Sequence, residues 1–208
     1  MSKKIIIGFG TGRCGTQSLA RFLNQQEGWN VTHEKVGFGW YPAMCDFDTC
    51  YNEFMSREED VIGDVAFYWV QYIGLILTRN KNVKVINLYR DDEEVIESFW
   101  SYKSFIRDYK SFWENEWFGY PYDNDKPTKD AIANTIKRYR MLEDQVHKYF
   151  PFSIIRMKTE DLSNEESLNK LLNWLGCKEK NLNSFHTNKR EQILASKNAQ
   201  QHERLFQF

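Results

Sequence analysis

The sequence predicts an α/β fold: one domain over residues 1–208, built on a central parallel sheet of about five strands flanked by helices. Three observations carry this. The apolar runs from Ile5 to Phe9 and from Val83 to Tyr89 are continuous rather than alternating, which suits strands buried on both faces. Amphipathic stretches at helical spacing alternate with such runs along the chain, the order that yields a parallel sheet covered by helices. The first run also ends in a glycine loop that leads into a helix.

Taken in order, Ile5 to Phe9 is the first strand, and Gln17 to Asn24 places Leu19, Phe22 and Leu23 on one helical face, with Thr16 as the candidate cap. Val31-Thr32 and Val61 to Val65 are the second and third strands, and Ala66 to Leu77 reads as a helix. Val83 to Tyr89 is the fourth strand. Asp91 to Asp108 then has the spacing of a helix with acids in its first turn, where they favour the helix dipole. Lys129 to Tyr149 carries Ile132, Ile136, Tyr139, Leu142 and Val146 on one face and stops before Pro151. Phe152 to Met157 is the last strand, and Glu165 to Leu175 a helix closed by Gly176.

Composition narrows the function classes. Hydrophobic residues make up 41% and charged residues 27%, ordinary for a globular chain. A formal net charge of -1 provides no broad basic field, which argues against a nucleic-acid partner and makes any anion site local. The four cysteines include no CxxC pair and no zinc-ligand spacing, so no metal is expected and reduced thiols in a cytoplasm fit best. No segment approaches the roughly 20 apolar residues of a membrane span. Aromatic residues reach 16%, and many lie between Phe99 and Tyr122, where they read either as helix-packing core or as the wall of an apolar or sugar-stacking pocket.

The loop Gly10-Thr11-Gly12-Arg13-Cys14-Gly15-Thr16 brings backbone N–H groups and a helix N-terminus to one point, an arrangement that binds anions. Glycines admit close approach of phosphate oxygens, Arg13 adds a charged fork and Thr16 a hydroxyl. Gly10, Gly12 and Gly15 also spell GxGxxG, and Glu34 stands where a dinucleotide-binding oxidoreductase keeps its ribose acid. A Walker A loop needs GxxxxGK[ST], and here Thr16 follows Gly15 with no lysine between, which weakens an ATP or GTP hydrolase reading. A P-loop kinase and a non-catalytic nucleotide-binding protein remain further alternatives.

Arg90 closes the fourth strand and Ser98 lies two turns into the next helix, so both can converge on a second anion. With the loop, this pairing resembles the sulfotransferase family, in which a [KR]-[SG]-G-[TS] loop grips the 5′-phosphosulfate and an Arg…Ser pair about eight residues apart grips the 3′-phosphate. The matching positions are Arg13-Cys14-Gly15-Thr16, and Arg90 with Ser98. Ile155-Arg156-Met157-Lys158-Thr159-Glu160-Asp161-Leu162, followed by Trp174-Leu175-Gly176, is similar to the family's late [RK]-Y-E-D-L and F-L-G stretches. Two departures stand out. Cys14 replaces the usual Ser or Gly, and Arg90-Asp91 lacks the proline that follows in the family.

The resemblance implies a P-loop, nucleotide-kinase-like fold and transfer of a sulfuryl group from 3′-phosphoadenosine 5′-phosphosulfate (PAPS) to a hydroxyl or amine of a small-molecule or carbohydrate acceptor. It implies donor contacts from Gly12, Arg13, Cys14, Gly15, Thr16, Gln17, Ser18, Arg90 and Ser98, with Arg13 standing in for the family's loop lysine at the bridging oxygen. Lys189 or Arg190 would close over the 3′-phosphate and adenine, unless that cluster is merely a solvated face. Deprotonating the acceptor requires a base. Glu34 and His33, after the second strand, are the candidates; the plainer alternatives are a packed histidine and a solvated loop acid. Asp64 is the other reachable carboxylate, or else the N-cap of the helix that begins at Ala66.

Overall fold

The computed structural model describes residues 3–36, 46–103 and 129–182. β1 (Lys4–Phe9) leads through the glycine loop to α1 (Thr16–Asn24), β2 (Trp29–His33), α2 (Phe47–Met55) and β3 (Val61–Val65). A 3-10 helix at Phe67–Gln71 precedes α3 (Ile73–Arg79), β4 (Val83–Tyr89) and α4 (Asp92–Lys103). The described chain continues with α5 (Lys129–Tyr149), β5 (Ile154–Lys158), a second 3-10 helix at Thr159–Ser163 and α6 (Glu165–Trp174).

All five strands are parallel and lie in the order β2-β3-β1-β4-β5. β1 is central because its continuous apolar run can be buried on both faces. Ile5, Ile7 and Phe9 point to one side, where they meet Trp69, Tyr72, Ile73 and Tyr139. Ile6 points to the other, among Leu19, Phe22, Leu23, Leu168 and Leu172. The period-two alternation of a strand thus feeds two cores, with α3 and α5 covering one face and α1 and α6 the other. After β1 the chain moves towards β2 and β3, and after β4 it moves the opposite way to β5. The carboxyl ends of β1 and β4 therefore flank the switch point at which open α/β sheets bind ligands.

Several expectations change in detail. Thr16 does not cap α1: Gly15 is the N-cap residue at φ 89°, and Thr16 is the first helical residue. The helix expected over Ala66 to Leu77 breaks into the 3-10 helix and α3, because Tyr68 and Trp69 turn their polar tips back to Asp64 and Tyr72 N closes a short turn on Trp69 O at 2.8 Å. β5 begins at Ile154 rather than Phe152, which is 97% exposed. α2 went unforeseen, although Asp46 caps it by accepting from Thr49 N. The expected end of α4 near Asp108 lies outside the described residues, as do Lys189, Arg190 and most of the aromatic segment. Of that segment, Phe99 is buried against Val95, Ile132 and Ile136, so there it is core.

Candidate functional site

The loop between β1 and α1 owes its shape to its glycines. Gly12, Arg13 and Gly15 all have positive φ, at 73°, 55° and 89°, the left-handed turns in which successive N–H groups can face one anion. Gly10 is required for a different reason: a Cβ there would lie 2.5 Å from Cys14 Sγ and 2.7 Å from the Leu88 carbonyl oxygen. The loop rests directly on β4. Cys14 is fully buried and faces the α1–α6 core, its thiol hydrogen-bonded within the loop to Thr11 and the Gly12 backbone; burial, and then the charge of Glu143, push that thiol up to about 12.

Arg13 crosses the switch point, where its Nε donates to Ser98 Oγ at 3.1 Å. Arg90 comes to the same place from the end of β4. Its Nη1 donates to the Arg13 carbonyl at 3.1 Å and its Nε to Glu94 Oε2 at 2.8 Å. The structure thus brings Arg13, Arg90 and Ser98 together, although 85 residues separate the first from the last. Gln17 is half-buried and Ser18 buried in the first turn of α1, on the helix that the loop opens.

His33 ends β2, and its Nε2 lies 3.1 Å from Thr16 Oγ1, which joins the strand to the N-terminus of α1. Glu34 follows at φ 53°, with Oε1 3.8 Å from His33 Nε2 and its side chain 43% exposed. Burial, the largest effect, and the charge of Arg21 both lower the His33 pKa, while Asp64 acts the other way, so the ring is neutral at pH 7. A neutral imidazole can accept a proton.

Asp64 is not the expected helix cap: it is fully buried in β3, and the N-cap of the following helix is Ala66. Its carboxylate accepts from Thr32 Oγ1 at 2.5 Å, Tyr68 OH at 2.7 Å, Trp69 Nε1 at 2.9 Å and Lys35 N at 3.2 Å. A carboxylate held by four donors is a structural tie between β2, β3 and the 3-10 helix.

Sequence reasoning missed two supports of the site. Thr159 Oγ1 reaches both the Cys14 carbonyl at 2.7 Å and the Tyr89 carbonyl at 3.2 Å, clamping the loop to β4. The late Arg156 to Leu162 stretch flagged this region without assigning the hydroxyl a role. Behind Arg90, Asn87, Arg140 and Glu143 form a buried polar group. Its signal was present: Glu143 sits between Tyr139 and Val146 on the apolar face of α5.

The strand order overturns the dinucleotide alternative. A Rossmann unit sets its second strand beside the first, with the ribose acid at the tip of that second strand. Here β3 lies between β1 and β2, and Glu34 follows the edge strand. No family model and no curated protein sequence matches the chain. Solved structures do match. A sulfotransferase from Alicyclobacillus acidocaldarius is similar at TM-score 0.61 and 12% identity, covering 94% of this chain and 91% of that one. Mouse sulfotransferase SULT7A1, complexed with PAP, is similar at TM-score 0.56 and 14% identity, over 91% of this chain and 62% of that chain. The sheet order, with a glycine loop between β1 and α1, defines a P-loop, nucleotide-kinase-like α/β fold. Within that class, the chain has a sulfotransferase-like fold.

Proposed function

We propose that this protein is a sulfotransferase that takes PAPS as donor and a hydroxyl or amine of a small molecule or carbohydrate as acceptor. The observation that carries this reading is the meeting of Arg13, Arg90 and Ser98 at one point beside the glycine loop. A purely 5′-phosphate ligand needs only the loop. A second cationic and hydroxylic cluster at the end of β4 suits a nucleotide with a further phosphate on its ribose, and arginine's planar fork matches that group. Adenosine 3′,5′-bisphosphate, the product left when PAPS loses its sulfuryl group, has both phosphates.

In the reaction the acceptor oxygen or nitrogen forms a bond to sulfur while the bond from sulfur to the bridging phosphate oxygen breaks. The leaving electron pair goes to that oxygen, which becomes part of the 5′-phosphate. Loop N–H groups and Arg13 neutralise its growing charge, and the in-line arrangement supplies much of the rate. Arginine keeps its proton, so Arg13 stabilises charge without acting as an acid. The acceptor's proton passes to Glu34, with neutral His33 as the alternative base 3.8 Å away. Gly12, Cys14, Gly15, Thr16, Gln17 and Ser18 contribute from the loop and the first turn of α1, and Lys189 or Arg190 from the late segment.

The test is transfer of labelled sulfuryl from PAPS over a panel of phenols, amines and saccharides, with Glu34→Gln as comparison. Turnover that Glu34→Gln abolishes while bisphosphate binding persists supports the assignment. Transfer of labelled phosphate from ATP, with none of sulfuryl, would replace it with a kinase.

A further inference from the structure

We infer that Arg140, on α5, is a positioning residue for the donor's 3′-phosphate, acting through Arg90; this rests on the sulfotransferase reading. Arg140 Nη2 donates to the Arg90 carbonyl at 2.7 Å, and its Nε to Asp92 Oδ1 at 2.8 Å. The two acceptors bracket the turn from β4 into α4, the turn that sets where Arg90 begins and where Ser98 ends up. The guanidinium lies 4.4 Å from the centre of the Tyr89 ring, the residue before Arg90. One side chain from a distant helix therefore holds the residues on both sides of that turn.

Arg140 is itself held. Its Nη1 meets Glu143 Oε2 at 2.8 Å, and the other carboxylate oxygen accepts from Asn87 Nδ2 at 2.9 Å. Asn87 lies in β4 three residues before Arg90, fully buried, and its Oδ1 accepts from Arg156 Nε at 3.0 Å and faces His147 Nε2 at 2.9 Å. Glu143 and Asn87 are fully buried and Arg140 is 13% exposed. A buried ion pair is a poor source of net stability, because desolvation offsets most of the attraction. Its use here is geometric. The group ties α5 to β4 at Asn87 and to the Arg90 carbonyl, and Arg90 is the residue that emerges at the end of that strand. Arg140 reaches Arg90 through its backbone carbonyl, so it acts by holding the chain from which the Arg90 side chain leaves.

The experiment compares two ligands on each variant, adenosine 3′,5′-bisphosphate and adenosine 5′-monophosphate, by titration calorimetry. The ratio of their affinities isolates the 3′-phosphate, and a general loss of stability does not move it. Arg140→Lys keeps a cation beside Glu143 but cannot span the Arg90 carbonyl and Asp92 together. We expect its ratio to fall at least fivefold in the wild-type background, and Arg140→Lys to cause no further fall when it is added to Arg90→Ala. An unchanged ratio in Arg140→Lys, or effects of the two substitutions that multiply independently, would overturn the inference. Asp92→Ala, which removes the acceptor of Arg140 Nε, provides a second reading if Arg140→Lys fails to fold. Removing a negative charge near a phosphate site should strengthen binding on Coulomb grounds, so a weakened ratio reports lost positioning and a strengthened or unchanged one contradicts it. If the wild-type protein binds no bisphosphate, the donor assignment itself is what fails.

Discussion

Arg13 Nε donates to Ser98 Oγ at 3.1 Å, tying the glycine loop to α4 across the switch point between β1 and β4. Both groups are among those assigned here to the donor. Their contact makes the proposed donor site a single cluster rather than two.

On the proposed function, Arg90→Ala would remove a charge-assisted hydrogen bond to the 3′-phosphate, about 1.5–3 kcal/mol. Affinity for adenosine 3′,5′-bisphosphate should fall roughly ten- to a hundredfold, read by calorimetry. Binding of adenosine 5′-monophosphate should change little.

Arg90 is engaged by Glu94 at 2.8 Å in an exposed i,i+4 pair, and a phosphate must compete with it. Exposed pairs of this kind contribute about 0.2–1 kcal/mol. Glu94→Gln should therefore tighten bisphosphate binding up to about fivefold, and weaker binding would show that Glu94 orients Arg90 instead of competing for it.

Asp64→Ala strips the acceptor from Tyr68, Trp69, Thr32 and the Lys35 amide. Leaving such buried donors unsatisfied should cost about 3 kcal/mol or more, seen as a lower denaturant midpoint with turnover per folded molecule preserved. Intact stability with lost turnover would instead make Asp64 a catalytic base.

Burial depresses the His33 pKa in the fold, so the folded state takes up this proton less readily than the unfolded chain. Its contribution to stability is complete above the unfolded value, about 6.5, and is lost as pH falls through the folded value. The unfolding free energy of the wild-type protein should thus drop more steeply below pH 6.5 than that of His33→Gln. Identical slopes would place the ring in solvent.

Much of this architecture is legible in the sequence. β4 and α5 begin and end where the sequence placed them, because Val83 to Tyr89 is an uninterrupted apolar run and α5 has an apolar face at steady helical spacing. Arg90 and Ser98 could be paired because strand end and helix fix their separation. What could not be read were choices made by distant partners. Asp64 looks like a helix cap until Tyr68 and Trp69 are seen to fold back on it, and Arg140 looks like a surface arginine until Glu143 and the Arg90 carbonyl meet it. Cys14 gave no sign that its thiol turns inward, since that depends on the absence of a Cβ at Gly10.

The most direct measurement is calorimetric titration of the wild-type protein with adenosine 3′,5′-bisphosphate, with NAD and ATP as comparisons. A donor site built from the loop, Arg13, Arg90 and Ser98 predicts one bisphosphate bound per chain, tighter than either comparison ligand and matched by a rise in melting temperature. No binding of the bisphosphate, or preference for NAD or ATP, would contradict it.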